Sequence, residues 1–149
     1  MLVMQEPLPT AEKVYPATEY LVSREKIREY AAAVGEEDPV HFDPPTARTA
    51  GFVDVVAPAM FAVVYAGKGL LQVLGDRDVG IALARVVHGA QEFVWGDPVV
   101  AGDEITTIAR LAKTFARGGN DFYVVQTDSR NQHGEPVATG TWTLIARGG

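Results

Sequence analysis

Ten residues concentrate the reactive side chains of this 149-residue chain: Val34-Gly35-Glu36-Glu37-Asp38-Pro39-Val40-His41-Phe42-Asp43 holds four carboxylates and one of only three histidines. Imidazole exchanges protons near neutral pH, and a carboxylate within reach of it can hold a water and share the proton. The stretch is therefore equipped for acid–base chemistry. Read alone, a solvated acidic turn after a helix is the commoner meaning of such a segment. A metal held by His41 with Glu36, Asp38 and Asp43 is a weaker reading, because no second histidine stands at ligand spacing. The chain has no cysteine, so disulfides, thiolate nucleophiles and thiolate metal sites are excluded.

The elements that must hold these groups can be read from spacing. Ser23 is suited to cap a helix, Glu25 follows in its first turn, and Ile27, Tyr30, Ala31 and Val34 recur at three and four residues. Gly35 supplies the stop, so the acidic stretch begins where this helix ends. Residues 1 to 16 contain three prolines and read as an extended arm, the block 1–14 in particular. From Asp38 to Pro58 an irregular excursion is expected, with a short helical turn near Thr46 to Ala50. A helix follows from Ala57-Pro58-Ala59-Met60-Phe61 to about Leu74, apolar on nearly every face and so expected to be buried all round. Gly67 and Gly69 weaken it or let another backbone come close.

The second half reads as strands at about 82 to 95, 104 to 116, 121 to 131 and 136 to 146, divided by turn-rich segments. One apolar helix followed by long antiparallel strands gives an α+β fold in which the sheet wraps the helix. On this reading 1–149 is a single domain. His88 and Gln91 stand three apart on a strand, which sends their side chains to opposite faces, with structural hydrogen bonding the expected role of both. Met60, Phe61, Val64, Tyr65 and Leu70 read as core, Trp95 and Trp142 as packing or dimer residues.

The formal charge is −6, and the 13 lysines and arginines form no basic run. A partner nucleic acid or anionic membrane surface is thus not expected. The longest apolar run contains Lys68 and is short for a bilayer, the amino terminus lacks signal-peptide features, and a cytoplasmic setting is expected.

The acidic stretch resembles the motif A-x-x-x-G-D-x-N-P-x-H-x-D-x-x-x-A of MaoC-like hydratases and dehydratases of acyl thioesters, which have the hot dog fold. Ala31, Gly35, Pro39, His41, Asp43 and Ala47 fall on its positions in register. Glu36 stands where aspartate is expected and Asp38 where asparagine is expected. VVAPAMF (55–61) resembles the start of that family's central helix, and residues 85–104 and 131–147 resemble its later strands. The carboxyl-terminal portion is most like the fatty acid synthase-type dehydratase subgroup, some of whose members hold the acyl chain for a separate catalytic subunit.

The resemblance implies an (R)-specific enoyl-thioester hydratase or 3-hydroxyacyl-thioester dehydratase, working on coenzyme A or acyl-carrier-protein substrates without a cofactor. It assigns catalysis to His41 and Glu36, water positioning to Asp38, and the thioester oxygen to the backbone amides near Ala59 and Met60, at a helix end that attracts negative charge. It also implies a homodimer or a heterodimer with a second hot dog subunit. The alternative is a noncatalytic acyl-chain-binding subunit of a heteromeric dehydratase. A glutamate in place of aspartate moves the carboxylate by about 1 Å, an error of a size that can cost on the order of a hundredfold in rate.

Overall fold

Ser23 accepts a hydrogen bond from the Lys26 N–H at 3.1 Å and opens helix α1, Arg24–Ala33, as its spacing predicts. The computed structural model describes residues 12–148. Two short strands, β1 (Lys13–Val14) and β2 (Thr18–Leu21), precede α1. Helix α2 (Pro44–Thr49) follows, and then α3 (Ala62–Leu74), entered through a 3-10 turn at Ala59–Phe61. The strands β3 (Val86–Trp95), β4 (Glu104–Arg117), β5 (Asn120–Arg130) and β6 (Pro136–Ala146) complete the chain. They form one antiparallel sheet in the order β1-β4-β5-β6-β3, with β2 also paired to β4.

The fold is α+β: α3 packs on one face of that sheet. Ala62, Tyr65, Ala66, Gly69 and Val73, spaced by three and four residues, are its buried side. They meet Ile105, Ala109, Leu111 and Val125 of the sheet in one apolar cluster. Burying each large side chain of this kind contributes about 1.5–3 kcal/mol. Gly69 is needed for the close approach, since a methyl group there would lie 3.0 Å from the Ala109 Cβ.

Two expectations are corrected. The central helix is not buried all round: Lys68 is exposed and Leu71 is 65% exposed. One sheet face can cover only one side of a helix, and the outer side is only tethered, by Lys68 Nζ to the Glu19 carbonyl at 2.7 Å and Gln72 Nε2 to the Pro16 carbonyl at 3.0 Å. The described end of the amino-terminal arm is a strand, Lys13 and Val14 pairing with Leu111 and Arg110 of β4. The rest of that arm, before Glu12, lies outside the described residues.

His88 and Gln91, the second correction, do not point to opposite faces. The β3–β6 register slips by one residue between His88 and Ala90, so His88 pairs with Leu144 and Gln91 with Trp142, both on the helix side of the sheet. A bulge inserts one residue and restores the face that simple alternation would have changed. His88 stacks on the Trp142 ring with centroids 5.8 Å apart. Trp142 is buried, and its Nε1–H donates to Thr127 Oγ1 at 2.9 Å.

The amino-terminal strand is anchored by charge. Lys13 Nζ and the Tyr15 hydroxyl both donate to Asp76 Oδ2, just past the end of α3, the latter at 2.7 Å. The Lys13 ammonium, then the tyrosine hydroxyl, hold the Asp76 carboxyl down at about 2, against an ordinary 3.8. A carboxyl depressed in the folded state stabilises the fold above its ordinary value and loses that contribution as the pH falls through the folded value. Thermal melts of Asp76→Asn are therefore expected to lie below those of the unaltered protein at pH 5–7. The gap should close between about pH 4 and pH 2; a gap constant across that range would show that charge is not what holds the strand.

Candidate active site

Two local structures bring the acid and the imidazole together. The end of α1 is a Schellman turn: Gly35 takes a positive φ of 78°, its N–H donates to the Ala32 carbonyl, and the Glu36 N–H donates to the Ala31 carbonyl at 2.8 Å. This fixes the backbone of Glu36 against the last turn of the helix, at the buried Ala31. Next, Asp38 caps a 3-10 turn, Pro39–His41, its Oδ1 accepting from the Val40 N–H at 3.0 Å. Asp43 caps α2 in the same manner, accepting from the Thr46 N–H at 3.2 Å. These short polar residues are placed where unpaired helix donors need acceptors.

His41 is held from a distance. Its Nδ1 lies 2.6 Å from the Val56 carbonyl oxygen. A carbonyl only accepts, so Nδ1 carries a proton, and in the neutral ring Nε2 then holds the lone pair. Val56 is in turn fixed: its N–H donates to the Val40 carbonyl at 3.0 Å, and the segment is bridged to Val99–Ala101 on either side. Arg24 anchors the same loop through a two-pronged ion pair to Asp54, 2.8 Å at its shorter contact. That pair is largely exposed and worth less than about 1 kcal/mol, so its role is placement.

The free Nε2 lies 3.8 Å from Glu36 Oε2. The His41 side chain is 12% exposed and the Glu36 side chain considerably more so, which leaves the gap between them open on one side. Asp38 is committed to its own turn by one oxygen. Among the described residues no group of three or more potential ligands is assembled for a metal ion.

At the entrance to α3, Phe61 N–H closes the first turn on the Pro58 carbonyl at 2.9 Å, and no acceptor lies on the N–H groups of Ala59 and Met60 among the described residues. Such a helix start attracts developing negative charge. Ala59 lines a cavity of about 200 Å³ with Ala57, Pro58 and Tyr65, closed across from the helix by Trp95 and Val99. Met60 is 45% exposed and is not part of that lining. His41 and Glu36 do not line it either; His41 adjoins its wall through Val56, whose chain neighbour Ala57 is part of the lining. Sequence reasoning missed Val56, the residue that sets the imidazole, because its contribution is a backbone carbonyl and leaves no side-chain signal.

Asp97, also on the cavity, faces Glu135, whose carboxylate keeps the Asp97 carboxyl protonated to higher pH than usual. No helix among the described residues is long and apolar enough to cross a membrane.

Residues 12–140 match the family described as "FAS1-like, dehydratase domain region". A UPF0336 protein of Clavibacter michiganensis is 46% identical over 91% of this chain and 92% of its own length. The architecture is similar to that of the C-terminally truncated HadBC (3R-hydroxyacyl-ACP dehydratase) complex of Mycobacterium tuberculosis, with a TM-score of 0.77, 30% identity, and 90% of this chain and 93% of that one covered. A MaoC-like dehydratase gives a TM-score of 0.80 at 30% identity, covering 92% of this chain and 41% of that longer one. The expected fold and kinship are thus both found: the chain belongs to the FAS1-like dehydratase-region family and has the hot dog fold of the MaoC-like dehydratases.

Proposed function

We propose that the protein, as a single hot dog unit spanning 1–149, is a cytoplasmic hydro-lyase of acyl thioesters. It hydrates an enoyl thioester to the (3R)-hydroxyacyl form or catalyses the reverse dehydration, on coenzyme A or acyl-carrier-protein substrates. The observation that carries this reading is the His41–Glu36 pair, with Nδ1 tied to Val56 and the free Nε2 3.8 Å from the carboxylate. That separation is too long for a direct hydrogen bond. It suits a water about 2.8 Å from both atoms, which would be the nucleophile in hydration.

The chemistry is proton traffic and needs no cofactor. The pair takes one proton from the water as its oxygen bonds to C3, and negative charge moves to the thioester oxygen. The amides of Ala59 and Met60 receive that charge, and the same proton then passes to C2. The neighbouring HadBC complex, a 3R-hydroxyacyl-ACP dehydratase, supports both the reaction and its configuration. A second hot dog subunit, the same or different, would pair along β3, the sheet's edge strand, where Val94 and Trp95 are exposed.

The test is hydration of crotonyl-CoA and longer enoyl thioesters, followed by loss of the conjugated thioester absorbance. Glu36→Gln is expected to reduce turnover about 100-fold or more, in the range of a positioned proton-transfer group. Unchanged turnover in Glu36→Gln would remove the carboxylate from the mechanism. A second reading, a noncatalytic acyl-binding subunit, is favoured by the departures at Glu36 and Asp38 from the family's usual aspartate and asparagine. It requires that the purified protein be inactive alone, and that activity gained with a catalytic partner survive His41→Ala.

A further inference from the structure

Tyr65 has a hydroxyl group with no use inside the fold. The residue is 3% exposed and its ring packs edge-on against Phe61, centroids 6.2 Å apart. Phenylalanine would serve that packing as well. Of the two other buried tyrosines of the core, Tyr15 donates its hydroxyl to Asp76 at 2.7 Å, while Tyr123 is not on the cavity. No hydrogen bond of the described residues involves the Tyr65 hydroxyl, although buried tyrosine hydroxyls ordinarily find a partner. It is not sealed in either: the one sealed polar side-chain atom without a partner among the described residues is Gln91 Oε1. The space left to the Tyr65 oxygen is the cavity that the residue lines.

The shared cavity places this group relative to the thioester. Pro58, just before the 3-10 turn that enters α3, and Tyr65, in the first turn of α3, both line the cavity. A thioester oxygen at the Ala59 and Met60 amides would leave the acyl chain to enter the cavity that Tyr65 lines. The cavity's about 200 Å³ holds about six or seven non-hydrogen atoms at the roughly 30 Å³ that one water takes up in the liquid. Of the lining residues, Ala57, Pro58, Val99 and Val137 offer a chain no hydrogen bond from their side chains, which leaves Tyr65, with Trp95 and Asp97, as the polar ones. Burial keeps the phenol protonated well above its ordinary range, so it remains a donor at any physiological pH.

We infer that Tyr65 is a specificity-determining residue that donates a hydrogen bond to an oxygen on the acyl chain, so that the preferred substrates are short acyl thioesters bearing an oxo or ether oxygen beyond C3. This rests on the proposed acyl-thioester function and narrows its substrate class. A site built around such a donor disfavours the plain hydrocarbon chain, because the hydroxyl is then desolvated and left unpaired.

The test uses two saturated thioesters that cannot react, hexanoyl-CoA and 5-oxohexanoyl-CoA, titrated calorimetrically into the full chain and into Tyr65→Phe. The unaltered protein is expected to bind the oxo compound about tenfold more tightly, the size of one neutral hydrogen bond. In Tyr65→Phe the ratio should fall to about one through loss of affinity for the oxo compound. Equal affinities in the unaltered protein, a preference surviving in Tyr65→Phe, or binding of neither compound would each overturn the inference. Turnover of hexenoyl-CoA, measured separately, distinguishes the two readings. Turnover without a preference retains the lyase and removes the role of Tyr65; a preference without turnover retains Tyr65 and points to the acyl-binding subunit.

Discussion

Changing His41 to alanine is expected to lower turnover of an enoyl thioester by about 10²- to 10⁴-fold, the usual contribution of a positioned general acid–base. Alanine also leaves the Val56 carbonyl without its donor, a loss of about 1–3 kcal/mol if water cannot replace it. The two effects need separate variants. In His41→Asn the side-chain amide can still donate to Val56 while offering no basic nitrogen toward Glu36. Turnover should be lost as fully as in His41→Ala, with the melting temperature kept near that of the unaltered protein. Substantial turnover in His41→Asn would show that the imidazole supports the loop and performs no proton transfer. Steady-state rates and a thermal melt on the same preparations decide the matter.

Phe61→Ala is expected to cost about 3–5 kcal/mol, a large part of the roughly 5–15 kcal/mol that holds an ordinary domain folded. The ring is 0% exposed and sits at the first turn of the central helix. It meets three tyrosines edge-on, Tyr20 at 6.1 Å, Tyr30 at 5.5 Å and Tyr65 at 6.2 Å between centroids. Aromatic pairs of this kind each add about 0.5–1.5 kcal/mol beyond burial, though three pairs sharing one ring do not add independently. Those tyrosines come from β2, α1 and α3, so one ring joins the elements that flank the helix entrance. Urea denaturation should show a markedly lower midpoint for Phe61→Ala and a smaller shift, under about 1.5 kcal/mol, for Phe61→Leu. Equal, small losses in both would mean that the tyrosines close over the space and that the entrance is held by other contacts.

The parts of the molecule that the sequence determined are those encoded within a few residues. Ser23 and Asp43 cap the helices that follow them because their side chains reach the N–H three residues on. Gly35 ends α1 because it takes the positive φ of the closing turn. The four long strands fall within a few residues of their alternating segments, and the apolar run after Pro58 is the central helix. Glu36 and His41 meet because five residues, one turn ending and another beginning, separate them. The family resemblance was legible for the same reason, since its motif lies in one such stretch.

What only the tertiary structure decided involves partners remote in the chain. The single-residue slip near Gly89 comes from the fit of β3 to β6, some fifty residues away, and reverses the facing that alternation alone gives to Gln91. The pairing of Lys13 and Val14 with β4 depends on an edge that forms about a hundred residues later. The imidazole is oriented by a carbonyl fifteen residues on, and the Tyr65 hydroxyl is left unpaired by the shape of a cavity walled from β3, β6 and the loop between β3 and β4. Propensity and capping act through neighbours on the chain, whereas register, burial and the direction of a backbone dipole are fixed by whatever surface packs alongside. The reactive groups were therefore readable from the chain; their orientation was not.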